Sequence, residues 1–529
     1  MRWMNELKNP PNPANPCSKC AHFDFLAGDW PVHGLVYRFL EEYPTTPGLW
    51  KPFDTGEKIM AEKNEKRLNR RDFLRVGSMS AAGLTLAACA VQPAPDSSAE
   101  PESGMAQADA PAPEVIEISA ARHGFDDDAV LEGEIISVFR ESHPHINVKP
   151  IALPWEDYNT KIPVMIAGGT APDTFACHPA LMFQVVHAGA AIPINDYVDA
   201  DSDLNYDDIL FPGDARFGDD IMGLPLWTSS HCLRFNKDLF EKAGLPTPAD
   251  LYWEDGEDGW NTDSFVEMLK ELSIDTDGDG QIDQWGCEGY WGTHTLAIVR
   301  AFGGDYLDDL FDPSKCTVES AEVKAAVQWM ADCVLKHEVQ PSPALNLAEL
   351  GIEFRSGVIG MGMAAGGAVE DIRPGREFPF GWDLVPLPAG PEGFIVWGDT
   401  DQSVTSSTTP NPDAVYEWMS WRSSAEAVQQ TYDAGVLLAT YYMPTRKSIF
   451  DMEAYNKPLR DGGLDPKMIP RLLGHVKPDP FVYRTPAALK IIFTIVYEEI
   501  RNVLRGTKDI DEAMAEACVL TEEALAEVS

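Results

Sequence analysis

Asp275, Asp277 and Asp279 alternate along the chain and lead into Gln281 and Asp283, with Gly280 at the sixth position. Oxygen donors so spaced match the first half of an EF-hand loop, in which calcium takes about six to eight oxygens around a glycine turn. The twelfth position, where a bidentate Glu would close such a loop, holds Gly286. The stretch therefore reads either as a partial calcium site or as an acidic turn. Gly360-Met361-Gly362 with Gly366 lacks the context of a dinucleotide loop. No G-x-S-x-G, no H-E-x-x-H and no His/Cys spacing for zinc is present. The lone Cys17-x-x-Cys20 has no second pair to complete a zinc site. Six cysteines follow residue 89, and Cys316 with Cys333, flanking one predicted helix, form the expected disulfide.

Cys89 suggests chemistry of another kind. It closes Leu86-Ala87-Ala88-Cys89, where small residues admit a signal peptidase and the thiol can accept diacylglycerol, the pattern of a lipobox. The mildly apolar run Val76 to Ala88 is too short to span a bilayer but suits a signal h-region. Arg70 and Arg71, within Asn69 to Arg75, have the form of a twin-arginine export motif. In this order and spacing the elements predict export and a lipid anchor at Cys89. Met60 is then the expected start, with 1–59 a doubtful extension and 60–89 the signal. Residues 90–114, rich in Pro, Ala, Ser and acid, cannot bury a core and read as a disordered tether.

Positioning such groups falls to the body. Its 29 Lys and Arg face 74 Asp and Glu over 89–529, a net of −45, against −43 for the chain. That field repels nucleic acid and anionic membrane and favours neutral or cationic partners, and it also serves solubility. Val115 to Ser119, Ile146 to Val148 and Thr174 to Ala176 read as strands. Between them 129–141 and 158–167 have helical spacing, as do 263–272, 320–336, 413–422, 485–504 and 509–526 later. Alternating strands and helices predict an α/β body with largely parallel sheets. There is no internal repeat and no transmembrane segment in this reading.

An ordered series of motifs runs from about 115 to the end. It comprises Gly168-Gly169-Thr170-Ala171-Pro172-Asp173, Gly223-Leu224-Pro225-Leu226, Leu233 to Phe240 with Ala243 to Pro246, Trp260 to Phe265, Gly303-Gly304, Phe354-Arg355-Ser356-Gly357, Trp382 to Pro388, and Met443 to Lys447. Together these resemble the family 1 extracellular solute-binding proteins, the sugar-binding receptors of ABC importers. The resemblance implies a two-lobed, periplasmic-binding-protein-like α/β fold of the type of maltose-binding protein. Its three interlobe crossovers would fall near 227–232, 383–390 and 435–444. Lobe 1 would comprise 115–229 and 388–436, and lobe 2 would comprise 230–387 and 437–529. A monomer would close on solute by a hinge motion and dock on permease subunits, without catalysis.

Sugar recognition needs flat rings against C–H faces and polar groups at the hydroxyls. The resemblance places Trp227 at the first crossover, Tyr290, Trp291 and His294 in a ligand loop, and Trp397 and Asp399 after the second crossover. Tyr441, Tyr442 and Arg446 flank the third. Trp155 is a further cleft candidate or a staple at a helix start. The segment 362–367 lacks the stacking aromatic that some sugar binders carry after Gly-Met, which implies a roomier cleft. The resulting reading is a receptor for a sugar or oligosaccharide, with no cofactor except a possible structural calcium. The alternatives are an exported glycan hydrolase or a receptor of the same fold for another solute.

Overall fold

A computed structural model describes residues 115–528, apart from 125–127, 290–291, 346, 348–351, 365–370, 374, 437–442 and 478–481. The expected export signal with Arg70 and Arg71, the expected lipid anchor Cys89, the expected tether, and Tyr290, Trp291, Tyr441 and Tyr442 lie outside the described residues.

The first strands are β1 (Ile116–His123), β2 (Ile146–Leu153) and β3 (Thr174–Cys177). β1 pairs in parallel with both others, linked through helices α1 (Asp128–Ser142) and α2 (Trp155–Ala167). Helix α3 (Pro179–His187) follows β3, and the His178 side chain caps it by accepting from Leu181 N. Parallel strands are buried on both faces, so their side chains feed two cores. Ile118, Phe139, Ile146, Trp418 and Trp421 fill one. Tyr158, Phe175, Met182, Trp227 and Val404 fill the other.

After a small hairpin of β4 (Arg216–Phe217) and β5 (Asp220–Ile221), strand β6 runs unbroken from Gly223 to Asn236. Its first part pairs antiparallel with β10 (Trp397–Thr405). Its last residues pair with β8 (Ile359–Ala364) and β9 (Trp382–Val385), and β7 (Trp285–Cys287) flanks β8. The sheet order is β2-β1-β3-β10-β6-β8-β7, with β9 also on β6. At the end of β6 the Asn236 side chain caps the helix Lys237–Ala243, and Gly244 closes that helix at φ 68°. In this motif Asn-Lys-Asp-Leu-Phe followed by Ala-Gly-Leu-Pro is therefore a strand end, a capped helix and its stop. A third, larger core gathers Phe235, Trp260, Phe265, Leu269, Met330, Tyr483, Ile492 and Leu525.

The 14-residue β6 thus belongs to both lobes. Met443 bridges Thr228 beside it. In the region of the expected crossover at 383–390, β9 pairs with the end of β6, and the chain meets β6 again along β10. Pro386 to Gly390 has the composition of a linker, yet Trp260 Nε1 donates to the Pro386 carbonyl at 2.9 Å. Leu387, Ala389, Phe394 and Val396 also pack into the third core. The disulfide also differs from expectation. Cys316 pairs with Cys518, tying the chain's last helix (Ile510–Val528) to the 305–317 loop, whereas Cys333 is a free thiol facing its helix's buried side. Flanking one helix in sequence puts Cys316 and Cys333 at its two ends, while tertiary packing brings Cys518 alongside.

Candidate functional site

Antiparallel partners share a face, and residues two apart on one strand return to it. In the β6–β10 ribbon Trp227 faces Asp401, Ser229 faces Asp399 and His231 faces Trp397. One face of the crossing therefore carries an indole beside a carboxylate, a hydroxyl beside a carboxylate, and an imidazole beside an indole. A bulge sits where Pro225 pairs with Gln402 and Trp227 with Asp401, leaving Leu226 extra. Proline has no N–H for the ladder, and the bulge absorbs that loss while re-aiming the strand. On the opposite face Thr228 and Thr400 meet through their hydroxyls at 3.2 Å, and the buried Asp214 accepts the Thr400 N–H at 2.9 Å.

At the first-lobe end, His123 at the tip of β1 meets Asp401 with Nε2 2.6 Å from the carboxylate. Three rings stand edge-on to this imidazole: Trp155 at 4.6 Å, Trp227 at 5.2 Å and Tyr158 at 5.5 Å. Trp155 opens helix α2 and is 44% exposed, whereas Trp227 is 2% exposed. Trp155 also leans on His178, 4.9 Å between centroids. His178 Nε2 lies 2.8 Å from Asn159 Oδ1. Because its Nδ1 accepts from Leu181 N, Nε2 carries the proton. Burial pushes the His178 imidazole down to about 4, opposed by the charge of Asp401. It is neutral near pH 7.

In the middle, Asp399 accepts the Ser229 hydroxyl and a bond from the Trp397 side chain. Burial, reinforced by Asp401, raises the Asp399 carboxyl to about 7. At the second-lobe end His231 lies 6.1 Å from Trp397 and 5.1 Å from His294. Burial drives His231 down to about 4 and His294 well below its ordinary range. His294 is in the first turn of the helix Gly292–Ala301, which brings its ring to the ribbon.

Trp155, Trp227, His294, Trp397 and Asp399 therefore gather along one ribbon. Arg446 does not join them. It pairs with Ile209 through the backbone and donates to Ser423 Oγ at 3.1 Å, with Asp208, Asp201 and Tyr416 as its charged and polar neighbours. Sequence reasoning missed His123, His178, Ser229, His231 and Asp401. The signal for the last three was the period of two along β6 and β10, counted from Trp227 and Asp399. For His123 the strand was ended too soon, since polar residues at a strand tip read as loop.

Asp275, Asp277 and Asp283 bring carboxylate oxygens within 4.8 Å of one another, a grouping found nowhere else among the described residues. Asp275 accepts from Gly278 N and Gly280 N, and Asp283 from Thr276 N and Oγ1. Those bonds hold both carboxyls below their ordinary range. Asp279 turns to Gln281 N and Nε2, away from the three. Donors of this kind fit a hard cation, with three carboxylates of the oxygens it would need.

Two lobes, one strand threaded through both, and polar and aromatic groups concentrated where it crosses define a hinged binding protein. The chain belongs to the bacterial extracellular solute-binding protein family, whose model matches residues 124–429. That is a family of binding proteins of extracytoplasmic location. A proposed binding protein of Brucella abortus (strain 2308) is 22% identical over 326 residues, 61% of this chain and 74% of that one. In fold the chain is similar to an ABC substrate-binding protein from Listeria monocytogenes in complex with cycloalternan. That match has a TM-score of 0.65 at 20% identity, covering 78% of this chain and 100% of the other. It is similar as well to a receptor of Streptomyces glaucescens solved unliganded and with acarbose, with a TM-score of 0.63 at 20% identity over 78% and 99% of the two chains. A solute-binding protein of Agrobacterium vitis with bound D-mannitol gives 0.58 at 20% identity over 78% and 98%.

Proposed function

We propose that the chain is a receptor that captures a sugar or oligosaccharide between its lobes and delivers it to an ABC-type permease. The observation that carries this reading is the single ribbon face on which Trp227, Asp401, Ser229, Asp399, His231 and Trp397 alternate ring and polar group. Rings suit the C–H faces of a sugar, and the carboxylates and hydroxyl suit its rim. The carbohydrate and polyol ligands of the Listeria, Streptomyces and Agrobacterium proteins support the same chemistry. The site residues of this reading are those six with Trp155 and His294, joined by Tyr290, Trp291, Tyr441 and Tyr442 of the neighbouring segments.

Export through the twin-arginine motif at Arg70 and Arg71, with lipid on Cys89 and 90–114 as tether, would hold the receptor beside its permease. Mass spectrometry of the mature protein should find diacylglycerol on the cysteine, lost in Cys89→Ser. Binding itself is tested by a thermal-shift and calorimetric screen of mono- and oligosaccharides, since a ligand of the folded state alone raises the melting temperature. Saturable binding without turnover is the expected result. Hydrolysis of the ligand, or no shift with any carbohydrate, would refute the reading.

A further inference from the structure

The charge balance of the ribbon face narrows the ligand further. Asp399 and Asp401 are neighbours on that face and interact electrostatically. The partners of Asp399 are the Ser229 hydroxyl and the Trp397 side chain, and Asp401 has His123. Among the described residues no lysine or arginine is paired with either carboxylate. The other imidazoles at hand, His178, His231 and His294, are held neutral by burial. Arg122 lies over Trp227, 5.4 Å from its ring, and pairs with Glu132 on the strand's inner side. Asp399 thus has no charged partner among the described residues, and Asp401 shares its carboxylate with His123, whose ring touches Trp155 and Trp227.

Trp155 is the second sign. A tryptophan 44% exposed, in ring contact with His123 and His178, stands one imidazole away from Asp401. A π-face next to carboxylates is the arrangement that attracts an ammonium group, through the ring quadrupole and through charge-assisted hydrogen bonds. The body's net of −45 adds long-range attraction for a cation and repulsion for an anion.

We infer that the preferred ligand is a cationic amino sugar, whose ammonium group sits between Asp399 and Asp401 beside Trp155. The inference rests on the carbohydrate-receptor reading. In the bound state the ammonium supplies the counter-charge that Asp399 lacks, so both carboxyls are ionised around it. An acidic sugar is disfavoured by the same charges, and N-acetylation of the amine removes the attraction.

The test uses sugars that differ in one group. Glucose and glucosamine exchange a hydroxyl for an ammonium, as do cellobiose and its mono-amino counterpart, and the N-acetylated forms keep the nitrogen without the charge. Calorimetry on the mature protein at pH 6.5 should find the amino sugar tighter than both relatives by at least about tenfold. Raising salt should weaken only the amino sugar. In Asp399→Asn, with fold verified by circular dichroism, affinity falls for all ligands and the amino-to-neutral ratio collapses towards one. If neutral sugars bind as tightly as amino sugars, or the ratio survives in Asp399→Asn, the inference fails while the receptor reading stands. If no carbohydrate of either kind binds, the receptor reading fails and takes the inference with it.

Discussion

Asp399→Asn makes a sharp prediction for the ligand-free protein. In the folded chain burial and Asp401 raise the Asp399 carboxyl to about 7, against roughly 3.9 in the unfolded chain. Between those values the folded state holds a proton that the unfolded state has released. Stability from this group is therefore complete below about pH 4 and declines as pH rises to about 7, where the loss levels off. The full span corresponds to ~4 kcal/mol. Because Asp401 shares the field and the pair can relax as one titrates, ~2 kcal/mol is the working figure. Asparagine keeps the shape and can still accept from Ser229, but it never acquires the charge. Urea unfolding of wild type and variant should give a stability difference that moves in the variant's favour by ~2 kcal/mol between about pH 4 and about pH 8. His178 and His231 act in the opposite sense, since imidazoles driven down to about 4 cost stability as pH falls below about 6.5. Both proteins contain them, so they cancel in the difference. A difference independent of pH would show that Asp399 is an ordinary ionised carboxylate and would remove the electrostatic basis for a strained pair.

The two tryptophans at His123 should differ in how much each contributes to the fold. Trp227→Ala empties a buried site and should cost about 3–5 kcal/mol of stability. Trp155→Ala, at an exposed ring, should cost under about 1 kcal/mol while weakening carbohydrate binding about tenfold. Equal effects on stability would refute the division. Cys518→Ser opens a link spanning 202 residues and should lower unfolding free energy by ~5 kcal/mol in the chain-entropy account. Cys333→Ser should leave the sulfur link intact, and a mass difference showing Cys333 oxidised would refute the pairing. Calcium at a few millimolar should raise the melting temperature with a dissociation constant of about 10⁻⁴–10⁻³ M, the range of weak extracellular sites. Asp275→Asn should abolish the rise, and an unresponsive wild type would leave 275–283 an acidic turn.

Several elements were legible from sequence because their signals are local. The stretch 263–272 has helical spacing that Thr262–Leu272 matches, and Ile146 to Val148 opens the strand Ile146–Leu153. The ribbon face was half legible. Trp227, Trp397 and Asp399 stood out as ring and acid, but Ser229, His231 and Asp401 became visible only with the register of two strands about 170 residues apart. No local pattern sets that register. Helix α2 starts at Trp155 rather than near 158, because helical spacing is a poor guide in the first turn, where side chains face the site. Arg446 misled through proximity in sequence, for Met443 reaches the ribbon while the chain turns Arg446 towards Ser423. Cys518 was hidden because a disulfide partner is chosen by tertiary neighbourhood.

The continuity of β6 has a mechanical corollary. A strand that spans both lobes without a break works as a leaf spring, and any change in the angle between them must be taken up as twist or bend along Trp227 to Cys232. Those same residues hold three of the six ribbon groups offered to solute. Occupancy and bending are therefore conjugate variables of one element, and a substitution there that retunes affinity also retunes the stiffness of the spring. Changes of ligand preference that leave the opening equilibrium undisturbed are then easiest at positions off the strand, of which Trp155 is the best exposed.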